Sequence, residues 1–264
     1  MGSGELFFYS KFPALSACSA VKFLMKIDLA FTPFELEKKD LAGKSVVVID
    51  SLRATSTMVT AFENGCAGFI PVASIEEARE LAAALNDPNV LLGGERGARA
   101  LEGFQVGNSP RDYSAGKVRG KTVIMTTTNG TRALVAARKA GDVFIGAFLN
   151  LSAVCRRLKE AGRDVIIACS GEKNLFCLED FVCGGAIIAC LGGDGNSPAL
   201  TDAARAAKIL YEHFSADICA MLEGSEWGLY LDGIGLGEDV RICARIDSSN
   251  LVPVYRGGKV FLER

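Results

Sequence analysis

A pattern that occurs twice restricts this chain more than any single residue does. Short apolar runs alternate with stretches of helical spacing, and the alternation returns 76 residues later without a gap. The first unit reads as strand Val46–Ile49, helix Ala54–Asn64 ending at Gly65, strand Phe69–Val72, a helix capped by Ser74 with Glu77 three residues on, and strand Val90–Leu92. The second reads as strand Val123–Met125, helix Ala133–Ala140 ending at Gly141, strand Val143–Ile145, a helix started by Asn150 and stopped by Gly162, and strand Val165–Ala168. Ser with Glu three residues later is a helix start, and glycine just past the periodic stretch is a stop. The shift sets Asp50 on Thr126, Arg53 on Asn129, Thr55 on Thr131 and Gly65 on Gly141. Strands too short and too apolar to have a wet face, joined by helical crossovers, imply an α/β fold with a mostly parallel sheet covered on both faces.

Met25–Phe31 reads as a further strand ahead of the repeat, and a helical part follows it. Leu178–Leu191 is an apolar helix with Glu179 and Asp180 at its start, followed by the loop GGDGNSP. Further helices are expected over Ala199–Leu222, Glu226–Leu236 and Glu238–Arg245, and a closing hairpin around Gly257–Gly258. No Pro- or Ser-rich linker divides the chain, so residues 25–264 are expected to form one domain. Residues 1–24 differ in character, and we expect an N-terminal extension outside the fold, with the functional chain starting at Met25.

Composition removes several chemistries. The single histidine, His213, leaves little material for multi-histidine zinc sites or Ser-His-Asp catalysis. Nine cysteines, an odd number with no CxxC pair, argue against a disulfide framework and for a reducing cytoplasm. A net charge of −2 carries no basic excess for nucleic acid, and no apolar run reaches the ~20 residues a membrane helix needs.

Right-handed crossovers are expected to gather the strand carboxyl ends on one edge, where open α/β sheets bind ligands. Four polar segments follow strands: Asp50–Thr57, Glu95–Arg99, Thr126–Arg132 and Cys169–Glu172. Arg53, Arg96 and Arg132 supply guanidinium forks that match phosphate or sulfonate oxygens, and the helix starts behind Arg53 and Arg132 favour anions. Asp50, Glu95, Glu179 and Asp180 stand beside them, and a magnesium ion would reconcile carboxylates with an anionic substrate. Plainer readings compete: Asp50 and Glu95 bridging Arg53 and Arg96, solvated arginines, and Glu179 and Asp180 complementing a helix dipole. Asn108 and Ser109, in GFQVGNSP, either face a ligand or build a turn. Other motifs are incomplete. Leu175 stands where a Cys-x5-Arg loop begun at Cys169 needs arginine, GERGARALEG lacks the Lys of a P-loop, and no strand precedes GLGED or GGDGN as a dinucleotide fingerprint requires.

IDSLRATSTMVTAFENGC, GGERG, GFQVGNSP, TTTNGTRAL and EDFVCGG, in this order, strongly resemble the 2-phosphosulfolactate phosphatase family from Met25 to near the C-terminus. The resemblance implies a three-layer α/β/α fold and a magnesium-dependent phosphatase that hydrolyses 2-phospho-3-sulfolactate to 3-sulfolactate and phosphate, a step toward coenzyme M. The matching positions are Asp50, Arg53, Thr55, Ser56, Glu95, Arg96, Asn108, Ser109, Thr128, Asn129, Gly130, Thr131, Arg132, Glu179 and Asp180. Individual roles are not carried over. The mechanism we expect has Asp50, Glu95 and Asp180 holding Mg²⁺ and Arg53, Arg96 and Arg132 dividing the phosphate and sulfonate. Backbone N–H groups at Gly130 and Thr131 would face the transition state, and a metal-bound water would attack phosphorus. Covalent attack by Asp50 is the alternative mechanism. A non-catalytic organophosphate or sulfonate sensor on the same rim is the alternative function, and homo-oligomerisation stays open.

Overall fold

The computed structural model describes residues 1, 24–193 and 198–263. The extension expected over residues 1–24, apart from its two end residues, lies outside the described residues, as does most of the GGDGNSP loop. The strands are β1 (Lys26–Ala30), β2 (Ser45–Ile49), β3 (Gly68–Pro71), β4 (Val90–Arg96), β5 (Arg99–Ala100), β6 (Thr122–Thr126), β7 (Asp142–Gly146), β8 (Val165–Cys169), β9 (Ala199–Leu200), β10 (Val254–Arg256) and β11 (Lys259–Phe261). They form one sheet in the order β5-β4-β6-β3-β11-β10-β7-β2-β8-β1-β9.

The two repeats exchange their first strands. β2 of the first unit lies between β7 and β8 of the second, and β6 of the second lies between β3 and β4 of the first. All four of these pairings are parallel. The C-terminal hairpin then joins the halves by antiparallel pairing of β10 with β7, β10 with β11, and β11 with β3. Three antiparallel steps reverse direction, so β3, β6 and β4 run opposite to β7, β2, β8 and β1. This corrects the expectation of one edge carrying every strand carboxyl end. Right-handed crossovers order strands within a parallel block, but a hairpin between two blocks fixes their relative direction. The four polar loops meet all the same, because the carboxyl ends of β2, β4, β6 and β8 all border one pocket.

The central strands bury both faces. Val46 and Val48 of β2 enter one core with Ile166 and Ala168 of β8, while Val47 and Ile49 enter the other with Val165 and Ile167. That alternation is why these strands read as continuous apolar runs. Helices Ala54–Glu63 and Gly130–Ala137 cover the first face through Met58, Phe62 and Leu134, and helices Leu151–Ala161, Leu178–Leu191 and Asp202–Phe214 cover the second through Leu158, Val182, Ile187 and Ala207. The result is a three-layer α/β/α fold with a helical C-terminal part.

The stretch expected as one helix over Ala199–Leu222 is instead β9 and two helices, Asp202–Phe214 and Ile218–Gly224. Thr201 and Asp217 divide it, each accepting from a backbone N–H three residues on, at 3.4 and 2.9 Å. Helix periodicity does not register such internal restarts. The first helix packs closely on Leu178–Leu191 at Gly185, where a Cβ would lie 2.1 Å from the Ala207 carbonyl oxygen.

Candidate active site

Asp50 begins the site because it begins a helix. Its Oδ1 accepts from the Ala54 N–H at 2.9 Å, and its backbone carbonyl accepts from the Thr55 N–H at 3.0 Å. Thr55 Oγ1 in turn accepts from the Asp50 N–H at 3.0 Å. A carboxylate on free N–H groups at a helix start is the stable arrangement. In the second half Thr127 has the corresponding task, its Oγ1 accepting from the Thr131 N–H at 3.2 Å. The loops are bound together where these helices start. Gly130 has no Cβ, and one placed there would lie 2.8 Å from Asp50 Oδ2 and 2.7 Å from the Ala54 methyl.

Two other carboxylates tie loops to one another. Glu95 accepts from the Ala98 N–H at 2.8 Å through Oε2, and from Thr128 N–H and Oγ1 at 2.8 and 2.9 Å through Oε1. It thereby fastens the turn after β4 to the loop after β6. Asp180 accepts from the Ser51 N–H at 2.7 Å, and from the Ser170 and Gly171 N–H groups at 3.1 and 3.2 Å. It thus supports the loops after β2 and β8 rather than serving only its own helix dipole. Asn129 Nδ2 donates to Glu172 Oε2 at 2.5 Å, and Asn129 Oδ1 accepts from the Lys173 N–H at 3.2 Å.

These side chains line a narrow pocket with a cavity volume of about 30 Å³. Asp50, Glu95, Glu172, Glu179 and Asp180 face it, with Arg53, Asn108, Thr128, Asn129 and Cys177, and Trp227 from helix Glu226–Gly233 in the C-terminal part. Trp227 stacks on Tyr230, whose hydroxyl donates to the Gly97 carbonyl at 3.2 Å. Burial pushes the Asp50 carboxyl up to about 6; Glu95 and Glu172 add to the rise, while the Ala54 N–H and Arg53 oppose it. Burial also pushes Glu179 up to about 7, with Asp50 and Glu172 adding and the Cys177 thiol opposing. Asp180 is raised well above the carboxylate range by burial, then by Asp50 and Glu179. The pocket is therefore a set of acids that resist being charged together.

The arginines are placed differently from one another. Arg53 lines the pocket but is buried, with Nη1 donating to Asp239 Oδ2 at 2.5 Å and Nη2 to the Ala98 carbonyl at 2.7 Å. Its carboxylate partner is thus Asp239, and not Asp50. Arg96 is exposed and turns onto the end of β6, donating to Thr126 Oγ1 at 3.1 Å. Arg132 is exposed on the first turn of its helix, and neither it nor Arg96 is among the pocket-lining residues. Thr131 is buried with its N–H and hydroxyl both given to Thr127, so that N–H is not aimed at a ligand. Asn108 is buried, lines the pocket and has an unpartnered Oδ1. Ser109 donates to Asp239 Oδ1 at 2.7 Å, and Ser56 donates to the Ser51 carbonyl.

Asp239, Arg111 and Trp227 escape a reading by motif, whereas Glu172 belongs to the polar segment Cys169–Glu172 expected at the rim. Asp239 looks like an ordinary acid in the first turn of helix Gly237–Cys243, yet it is fully buried and accepts from Arg53, Ser109 and Arg111.

A family model described as 2-phosphosulpholactate phosphatase matches residues 30–258. Curated relatives share its name. A probable 2-phosphosulfolactate phosphatase of Clostridium acetobutylicum is 39% identical over 236 residues, covering 89% of this chain and 100% of the relative. One from Symbiobacterium thermophilum is 39% identical over 224 residues, covering 85% of this chain and 96% of the relative. One from Caldanaerobacter subterraneus subsp. tengcongensis is 38% identical over 227 residues, covering 85% and 93%. With the match running through every strand-end loop of the pocket, the chain belongs to the 2-phosphosulfolactate phosphatase family, a family of phosphoric monoester hydrolases.

Proposed function

We propose that this protein hydrolyses 2-phospho-3-sulfolactate to 3-sulfolactate and phosphate with the help of Mg²⁺, supplying sulfolactate for coenzyme M in the cytoplasm. The observation that carries this reading is the set of five carboxylates around one pocket, three of them with raised proton affinity. A phosphate ester brings further negative charge, and a divalent cation makes the two compatible. The relatives' names supply the ester. No disulfide joins cysteines among the described residues, which suits a reducing compartment.

The donor set fits magnesium better than a caging metal. Among the described residues no group of three or more His, Cys, Asp or Glu converges to hold an ion. Mg²⁺ asks for one or two carboxylates and completes its shell with water and substrate phosphate. Glu95 and Asp180 have their oxygens engaged by backbone donors, so Asp50, through Oδ2, and Glu179 would hold it. When bound, the ion supplies charge neutralisation for the phosphoryl oxygens. Burial raises Asp50 to about 6 and Glu179 to about 7, so the proton affinity of this pair lies close to neutrality, and the member that is ionised and not engaged by the ion accepts the proton of the attacking water. Arg53, fixed by Asp239, offers positive charge from the pocket wall without needing to reorganise. Among the described residues, Trp227 adds the one aromatic ring to the pocket lining, from helix Glu226–Gly233.

The test is phosphate release from 2-phospho-3-sulfolactate with Mg²⁺, with EDTA, and with Mg²⁺ restored. Release that ignores EDTA removes the metal from the reading. Tight binding of the ester with no turnover under any divalent ion favours a sensor instead.

A further inference from the structure

Beside the acid-lined pocket lies a second cleft of about 460 Å³, sharing Arg53, Ala98 and Asn108 as a common wall. Its charge is opposite in kind. Arg99 and Arg111 line it together with Arg53, while the lining acid Asp112 has Oδ2 engaged by the Gly107 N–H at 2.8 Å. Arg111 donates Nε to Asp239 Oδ1 at 2.8 Å, which orients the guanidinium and leaves its terminal nitrogens for another acceptor; the side chain is 45% exposed. Arg99, on β5, is exposed and has no ion-pair partner among the described residues. Asp239 thus directs one guanidinium, Arg53, along the shared wall and another, Arg111, into the cleft. Ile234 and Leu236 give the cleft an apolar side suited to a short carbon chain.

Resting on the phosphatase reading above, we infer that this cleft recognises the non-reacting acid group of the substrate, a sulfonate or carboxylate held by Arg99 and Arg111, while the phosphoryl group enters the acid-lined pocket across the Asn108 wall. A guanidinium fork matches the paired oxygens of such a group. The polarity of the two chambers sets the direction of binding: the end that arrives with a divalent cation goes to the carboxylates, and the end that arrives bare goes to the arginines. Arg99 and Arg111 are then specificity residues, and Arg96 and Arg132 lie outside the recognition site.

The experiment compares 2-phospho-3-sulfolactate with phenyl phosphate, which has no second acid group, in the wild type, Arg99→Ala and Arg111→Ala. Calorimetric titration with 3-sulfolactate alone runs in parallel. The ratio of kcat/KM for the two esters falls by about tenfold or more in each variant, and 3-sulfolactate binding weakens in step. An unchanged ratio with unchanged 3-sulfolactate affinity overturns the inference, as does a wild type that does not bind 3-sulfolactate. If Arg111→Ala fails to fold through loss of its Asp239 bond, Arg99→Ala decides alone. A wild type that binds 3-sulfolactate through Arg99 but hydrolyses neither ester leaves the cleft standing and removes the phosphatase reading.

Discussion

Arg53 and Asp239 form an ion pair at 2.5 Å that is almost wholly closed to solvent, the two side chains being 2% and 0% exposed. They are 186 residues apart, one after β2 and the other on a helix near the C-terminus. Removing one partner leaves the other charged and unsolvated. Asp239→Ala should therefore cost roughly 3–5 kcal/mol. The double change Arg53→Met with Asp239→Leu should cost clearly less than the two single changes together. Urea denaturation of the four proteins checks this, and additive losses would show that the pair is not coupled.

Asp50→Asn keeps the acceptor for the Ala54 N–H but loses the charge and the proton site. Turnover should fall by about 10²–10⁴ while the folded circular dichroism spectrum is kept. Activity near wild type would take Asp50 out of the chemistry.

In EDTA the native protein should lose stability as pH rises. Asp50 and Glu179 hold their protons to about 6 and about 7 when folded, above their ordinary values. The folded state therefore binds more protons than the unfolded chain between about pH 4 and 7. The stability these groups contribute is complete below about pH 4 and is lost as pH passes through the folded values. Thermal unfolding in EDTA should give a lower Tm at pH 8 than at pH 5, and Glu179→Gln should flatten the difference. Millimolar Mg²⁺ should restore Tm at pH 8. A Tm that climbs from pH 5 to 8 without metal would contradict the acid cluster.

The three arginines should separate in a kinetic series. Arg53→Ala should cost about a hundredfold or more in kcat/KM, since it removes a buried charge from the pocket wall. Arg96→Ala and Arg132→Ala, both exposed and away from the pocket lining, should each cost less than about threefold. Equal losses would mean that Arg132 reaches the substrate.

Gly130→Ala sets a methyl group against Asp50 Oδ2 and the Ala54 methyl, both under 3 Å away. Something must shift, at a cost of about 1–3 kcal/mol, and Asp50 is the group displaced. The variant should lose activity out of proportion to its loss of Tm.

The strands and the four loops were legible because both faces of β2 and β8 are buried, which makes apolar runs that period-2 alternation would have broken. The carboxylates were legible by position, since Asp50 and Glu95 end or follow strands. Their division of labour was not. Nothing in the residue type distinguishes Glu95, whose oxygens hold Ala98 and Thr128, from Glu179, whose carboxyl faces the pocket. Arg53 resembled a ligand clamp because its partner lies 186 positions away. The opposed direction of the two sheet halves was hidden as well. It is set by pairings of the last hairpin, each involving one or a few residues.

The exchange of β2 and β6 has a mechanical consequence. Each repeat unit has lent its first strand to the interior of the other's half of the sheet, so the two units cannot be drawn apart without tearing backbone ladders from both halves. The loops that line the pocket therefore stand on a framework in which each unit holds the other in place, like a clasped pair of hands.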